Sequence, residues 1–346
     1  MSALAPASAG PLAALPRIPL VLEPTPLHHA PRLSRELGVP ILLKRDDLAG
    51  VGLGGNKLRG LEYILADLRA QGCDSLVTGA GPQSNWTMLA ALTCLRNQIE
   101  PHVICYGRPA KLKTEGNMAE GNMAEGNMAE GNMRLLRWLG VDVRFTGQED
   151  RASVDAGIEA AAAQLRNAGH RPYPVPRGGA TPLGALGYVR ASLELAAQLD
   201  ALSERPRALW TATGSCGTQA GLVAGAALVS APYDVIGVTV SRPVPEARDR
   251  VRDLAARAAG QAGLDLKPAE PQVRGGWIGP GYGQPSAAGQ AAAHLAATTE
   301  GVFLDPVFGA KAMAALIADC RSGRAEGTQV FLVSGGAPTL FAGGLP

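Results

Sequence analysis

Apolar and polar positions along this chain fall into two alternating patterns. Short apolar runs bounded by Gly, Pro or charged residues predict strands at 41–44, 75–78, 102–106, 141–145, 208–212, 235–240 and 329–333. Longer stretches, many rich in alanine, predict helices at 58–70, 86–95, 151–168, 183–199, 217–229, 245–260, 286–298 and 310–319. Strands alternating with helices predict α/β layers built on mostly parallel sheets. Two glycine-rich stretches, near 50–57 and 177–184, are where the chain would cross between two lobes. Residues 1–20 show neither pattern. They lack a basic start, and prolines interrupt their apolar positions, so a flexible arm is expected rather than a signal peptide.

One segment fits neither period. Glu-Gly-Asn-Met occurs four times in succession, beginning at Glu115, Glu120, Glu125 and Glu130. A five-residue step turns a helix by about 500°, or about 140° net, so Met118, Met123, Met128 and Met133 would spiral round a helix. A glycine in each copy weakens a helix by about 1 kcal/mol relative to alanine. A tandem duplication that lengthens a surface loop or a helix start accounts for this pattern. A methionine-rich binding surface is the alternative.

Composition narrows the class. Apolar residues make up 46% of 346 residues, enough for one large core or two smaller ones despite 44 glycines and 26 prolines. The 32 Lys and Arg against 30 Asp and Glu give no electrostatic case for nucleic acid or an anionic membrane. No apolar run is long enough to span a bilayer. The five cysteines form no CxxC pair, which points to free thiols in a reducing cytoplasm. None of the five histidines has metal-ligand spacing, and no metal is expected.

Three clusters could carry chemistry. Gly54-Gly55-Asn56-Lys57 sets a lysine in a tight bend just ahead of an amphipathic helix, which fixes where its amine points. A lysine so held can form a Schiff base with pyridoxal phosphate. No Gly-Lys-Ser/Thr follows the glycines, so the segment is not a nucleotide-binding P-loop. Thr213-Gly214-Ser215-Cys216-Gly217-Thr218 joins a strand to a helix, and its small residues let backbone N–H groups converge on a phosphate; an ordinary tight turn is the alternative. Gln83-Ser84-Asn85, followed by Trp86, opens another helix, where polar side chains and free N–H groups suit a substrate carboxylate or simply cap the helix.

From about Pro24 onward the chain resembles the pyridoxal-phosphate-dependent D-cysteine desulfhydrase and 1-aminocyclopropane-1-carboxylate (ACC) deaminase family. Besides the three clusters, Thr25-Pro26-Leu27, Gly178-Gly179, Gly184-Ala185-Leu186-Gly187-Tyr188 and Gly279-Pro280-Gly281-Tyr282-Gly283 carry the resemblance in order. So do Leu304-Asp305-Pro306-Val307-Phe308, Lys311-Ala312-Met313 and Ser334-Gly335-Gly336. The resemblance implies fold type II, with two three-layer αβα domains and the cofactor between them. It places a large domain at 21–57 plus 171–346 and a small one at 58–170. It also implies a homodimer and a small amino acid as substrate. By the same resemblance Lys57 carries the cofactor, and either Lys57 or Ser84 moves the α-proton. Asn85 meets the phenolic oxygen and Ser334 lies at the cofactor. Tyr282 assists the leaving group, while Gln83, Trp86 and Phe308 border the substrate. The family runs Gly-Asn into a helix once, and 131–136 is similar to that copy, with Asn132 as N-cap.

Four positions depart from the family pattern. Phe308 stands where a tyrosine is usual, and Gly309 where Glu or Thr faces the pyridine nitrogen. Trp86 and Val333 replace frequent histidines. A missing acid–base hydroxyl typically costs about 10²–10⁴-fold in rate. The expected reaction is therefore α,β-elimination with C–S cleavage rather than ACC ring opening. The alternatives are ACC deamination itself and a protein that holds the cofactor without turnover.

Overall fold

The computed structural model describes residues 10–109 and 130–342, so repeat copies before Glu130 lie outside the described residues. The described chain divides into two units. Residues 10–64 and 180–337 form the first; residues 65–109, 130–179 and 338–342 form the second. The boundaries fall at 64/65 and 179/180, where the sequence suggested 57/58 and 170/171, and the last described residues go with the second unit.

Ten strands and eleven α-helices are described. The strands are β1 (Leu27–His29), β2 (Ile41–Arg45), β3 (Ser75–Ala80), β4 (Glu100–Cys105), β5 (Asp142–Phe145), β6 (Pro172–Pro174), β7 (Ala208–Thr213), β8 (Asp234–Thr239), β9 (Gln272–Arg274) and β10 (Gln329–Val333). The helices are α1 (Gly10–Ala13), α2 (Pro31–Leu37), α3 (Lys57–Ala70), α4 (Asn85–Arg96), α5 (Gly131–Trp138), α6 (Ser153–Asn167), α7 (Pro182–Ala201), α8 (Gly217–Leu228), α9 (Val244–Gln261), α10 (Ala287–Glu300) and α11 (Gly309–Arg321).

The first unit holds a six-stranded sheet in the order β1-β2-β10-β7-β8-β9, parallel except for β1 against β2. Both its faces are covered, which explains why its strands read as continuous apolar runs. Successive side chains point to opposite faces. Leu42, Leu209, Val235, Val330 and Leu332 join a core made with α7, α8 and α9. Leu43, Trp210, Ile236, Phe331 and Val333 join the opposite core, made with α2, α10 and α11. Gly60 and Gly187 let α3 and α7 touch backbone to backbone, since a Cβ on Gly187 would lie 2.2 Å from the Arg59 carbonyl oxygen and one on Gly60 2.8 Å from that of Gly184.

A charged cluster is buried in the same unit. Arg59 donates to both carboxylate oxygens of Asp46 (2.8 and 2.9 Å) and to Glu194 (3.0 and 3.1 Å). Lys44 also bonds Glu194, and Tyr188 donates to Asp46. Burial alone would raise the Asp46 carboxyl, but Arg59 and then Lys44 outweigh it and hold it at about 2.

Residues 10–20 do not behave as the expected arm. Leu12 and Leu20 are buried, Ile18 N–H donates to the Glu62 carbonyl, and Leu20 and Val21 N–H donate to the Glu62 carboxylate. Glu62 sits on the helix that begins at Lys57, and its paired oxygens draw the incoming segment onto the unit.

The second unit holds a four-stranded, fully parallel sheet in the order β5-β4-β3-β6. Val77 and Ile104 pack against Val154, Ile158, Ala161 and Ala162 of α6 on one face. Helices α4 and α5 contact each other, and α4 contacts β3 and β4. Each unit is thus an α/β assembly on a mostly parallel sheet, as the alternating pattern indicates.

Candidate active site

In parallel α/β sheets, ligands gather at the carboxyl ends of the strands. In the first unit the candidate residues sit there on adjacent strands. The segment after β2 leads to Lys57, Ser334 follows β10, and the loop 214–216 follows β7. The parallel register sets the ends of β2 and β10 side by side, with Val333 opposite Arg45.

Lys57 is the first residue of α3. Gly54 (φ +69°) and Gly55 (φ +125°) make the bend before it, and a Cβ on Gly54 would lie 2.0 Å from the Asp47 carbonyl oxygen. Asn56 N–H donates to the Ser334 carbonyl (2.9 Å), and its amide donates to Thr218 Oγ1 (3.0 Å). One residue thereby ties the lysine bend to both neighbouring loops. Desolvation pulls the Lys57 ammonium down to about 8, against the upward pull of the nearby Asp305 carboxylate.

The loop after β7 has the geometry of an anion cradle. Cys216 takes a left-handed conformation (φ +79°), and no side chain caps α8. The Gly214 carbonyl accepts from Ser241 Oγ and Arg242 Nε (both 3.3 Å), and the Ser215 carbonyl accepts from Arg250 Nε (3.2 Å). With its carbonyls turned to those groups, the loop leaves the first N–H groups of a 12-residue helix for an anion. Thr218 accepts from Asn56 and so keeps its hydroxyl proton to donate. The Thr213 hydroxyl is taken by Gln219 (2.8 Å), so Thr213 brings no free side-chain donor. Burial raises the Cys216 thiol, the opposite of what a reactive thiolate needs.

Asp305 has a role that no local sequence motif announces. Its carboxylate accepts N–H bonds from Val307 (3.0 Å), Phe308 (2.7 Å) and Gly309 (2.8 Å), which fixes the start of α11. Burial pushes it up to about 6, although these N–H groups and Lys311 oppose the shift. Lys311, fully buried, donates to the carbonyls of Ile278 (2.7 Å) and Gly281 (3.2 Å) and so holds the loop that carries Tyr282. The rings of Tyr282 and Phe308 lie 6.3 Å apart, edge to face.

The second unit carries Gln83, Ser84, Asn85 and Trp86 at the carboxyl end of β3, where α4 begins. Ser84 is the N-cap: its Oγ accepts from Trp86 N–H (3.2 Å) and retains its own proton. Gln83 is not a free ligand group, because Oε1 accepts from Asn132 N–H (2.8 Å) and Nε2 donates to the Glu130 carbonyl (3.1 Å). Trp86 is buried against Gly179, and its indole N–H donates to Thr78 (2.8 Å), so it offers apolar surface alone. Asn132 does not cap α5. Glu130 holds the cap position without a side-chain bond to the helix start, while Asn132 lies inside the helix and bonds Gln83 and Asn85.

Among the described residues no helix is long and apolar enough to cross a membrane. Lys57, together with the uncapped start of α8 and the small-residue loop before it, fits a phosphate-bearing aldehyde such as pyridoxal phosphate.

Comparison with known proteins agrees with that geometry. The family model described as pyridoxal-phosphate dependent enzyme matches residues 18–335. A D-cysteine desulfhydrase of Salmonella choleraesuis is 38% identical over 333 residues, covering 96% of this chain and 97% of the relative. A putative 1-aminocyclopropane-1-carboxylate deaminase of Pyrococcus abyssi is 33% identical over 330 residues, covering 95% and 94%. A crystal structure of an ACC deaminase homologue superposes with a TM-score of 0.87 at 29% identity, covering 97% of this chain and 96% of that one. The chain belongs to the pyridoxal-phosphate dependent enzymes of fold type II, among the relatives of D-cysteine desulfhydrase and ACC deaminase.

Proposed function

We propose that this enzyme performs α,β-elimination on a small amino acid or cysteine-derived substrate, cutting a C–S bond. The products are ammonia, a 2-oxo acid and sulfide or a thiol. The observation that carries the reading is Lys57, an amine held beside an uncapped helix start in a chain 38% identical to a D-cysteine desulfhydrase over nearly its whole length. Pyridoxal phosphate, joined to an amino group, withdraws electrons from the α-carbon and so makes its proton removable.

The chain's own residues then have distinct work. The N–H groups at the start of α8 and the Thr218 hydroxyl hold phosphate. With Lys57 near 8, roughly 9% of it is neutral at pH 7, against roughly 0.03% for an ordinary lysine, so it serves as amine and as base. Ser84 and Asn85 orient the substrate carboxylate and the ring oxygen. Tyr282 assists the leaving group, and Phe308 gives it an apolar edge instead of a second hydroxyl. That last feature favours C–S elimination over ring opening. All five cysteines are free and four are buried, which supports a reducing, cytoplasmic setting. A homodimer, as the resemblance implies, is tested by light scattering, where the mass of a single chain would refute it.

The purified protein loaded with pyridoxal phosphate is offered D- and L-amino acids, ACC and cysteine thioethers, and ammonia, 2-oxo acid and sulfide or thiol are measured. Sulfide or thiol from a cysteine derivative, with little 2-oxobutanoate from ACC, is expected. Efficient ACC turnover without C–S cleavage would replace the proposed reaction with ring opening. No product from any compound would leave a cofactor-binding protein.

A further inference from the structure

A buried amide fixes the polarity of the substrate-side asparagine. Asn132 is fully buried. Its Nδ2 donates to the Gln83 carbonyl (2.9 Å) and to Asn85 Oδ1 (2.8 Å), while its backbone N–H donates to Gln83 Oε1 (2.8 Å). A backbone carbonyl can only accept, so the nitrogen end of the Asn132 amide must face Gln83. The second hydrogen on that nitrogen must then meet an acceptor on Asn85, which can only be Oδ1. Asn85 is left with Nδ2 pointing away from Asn132, half-buried and with no partner among the described residues. Asn132 Oδ1 has no partner either. Leaving a buried oxygen unmade is costly, and that orphan marks an amide held for its nitrogen.

Gly131 makes the approach possible. It has φ +54°, and a Cβ there would lie 2.4 Å from Gln83 Oε1. A Glu-Gly-Asn unit is thus the local clamp for the Gln83–Asn85 segment, and Asn132 of the fourth repeat copy is the residue seated in it.

We propose that Asn132 is a positioning residue that compels Asn85 to act as a hydrogen-bond donor to an anionic oxygen. The inference rests on the reading of Asn85 as a cofactor or substrate contact. The oxygen belongs either to the phenolic group of the cofactor or to a substrate carboxylate, and the two sources are separable by experiment.

The variants are Asn132→Asp, Asn85→Ala and the double variant, with the parent as reference. Aspartate has the same shape and no donor, so in N132D Asn85 must turn its nitrogen toward the new carboxylate and present its oxygen outward. If the oxygen is the phenolic one, N132D weakens pyridoxal phosphate binding on the order of tenfold to a hundredfold and moves the pH midpoint of the bound chromophore without substrate. If it is the carboxylate, binding and midpoint stay put while KM rises by that factor at nearly constant kcat. In either case N132D has little further effect on an Asn85→Ala background. A folded N132D with parental affinity, midpoint and KM overturns the inference, as does full additivity with N85A. Failure of the underlying reading looks different, because then N85A itself changes nothing. Should N132D not fold, the parent labelled with 15N-asparagine decides: slow exchange of the Asn132 side-chain amide and fast exchange of that of Asn85 support the assignment, and the reverse order overturns it.

Discussion

Replacing Asp305 by asparagine changes the acidity of Lys57 in a direction the structure fixes. In the parent, desolvation lowers the Lys57 ammonium to about 8, and Asp305 is the main group pulling it back up. Asp305→Asn removes that negative charge, so the lysine falls further. The Asp305 charge is shared with Lys311 and three backbone N–H groups. A shift on the order of one unit, the low end for a nearby opposite charge, is therefore reasonable. The neutral amine fraction at pH 7 would rise from roughly 9% to roughly 50%, about fivefold. The assay mixes cofactor-free protein with pyridoxal phosphate from pH 6 to 10 and follows imine absorbance, with borohydride trapping at each pH. The parent rate should climb about tenfold per unit and level off near pH 8, and the variant should level off about one unit lower. A parent rate that keeps climbing through pH 9.5 describes an ordinary exposed lysine and rules out the lowered Lys57. So does an upward shift in the variant. The same substitution changes stability against pH. Asp305 rises from 3.8 to about 6 on folding, so the folded chain binds this proton more tightly than the unfolded one. Its contribution to stability therefore declines as pH rises from about 4 to 6 and is lowest above pH 6. In D305N that decline should disappear from the urea-unfolding profile.

Other outcomes follow from the same geometry. Arg59→Met leaves Asp46 and Glu194 buried without their shared cation and should cost about 3–5 kcal/mol in urea unfolding; a loss below about 1 kcal/mol would show that Lys44 and Tyr188 suffice. Phe308→Tyr sets a hydroxyl next to the Tyr282 edge and should raise kcat on ACC at least about tenfold more than on a cysteine derivative. Equal changes on both would remove Phe308 as the discriminating residue.

The long elements were legible because their signals are local. Strands such as β2, β3 and β10 are buried on both faces and read as apolar runs, and α8 and α11 carry enough alanine and leucine to read as helices. The three-residue strands β1, β6 and β9 were not legible. Their pairing with a neighbour defines them, and segments such as Leu27-His28-His29 and Pro172-Tyr173-Pro174 have little pattern of their own. Helix α2 begins after Ala30, which gives no side-chain cap to announce it. Lys57 and the 213–218 loop were visible as motifs because glycine and small residues at fixed spacing are local requirements. Asp305, Lys311 and the Arg242–Arg250 pair act on backbone groups, many of them distant in sequence, so their work could not be read along the chain. Asn132 shows the difference most clearly. By propensity an asparagine after glycine caps a helix, but the carbonyl of Gln83, 49 residues away, makes a better claim on its amide.

Covalent labelling decides directly whether Lys57 carries the cofactor. Pyridoxal phosphate is added to the protein, borohydride reduces the linkage, and tryptic peptides are mapped by mass. A single phosphopyridoxyl adduct on Lys57 at near one per chain, lost in Lys57→Ala, is the expected result. An adduct on other lysines instead, or none under conditions where the chain is folded, would rule Lys57 out as the anchor.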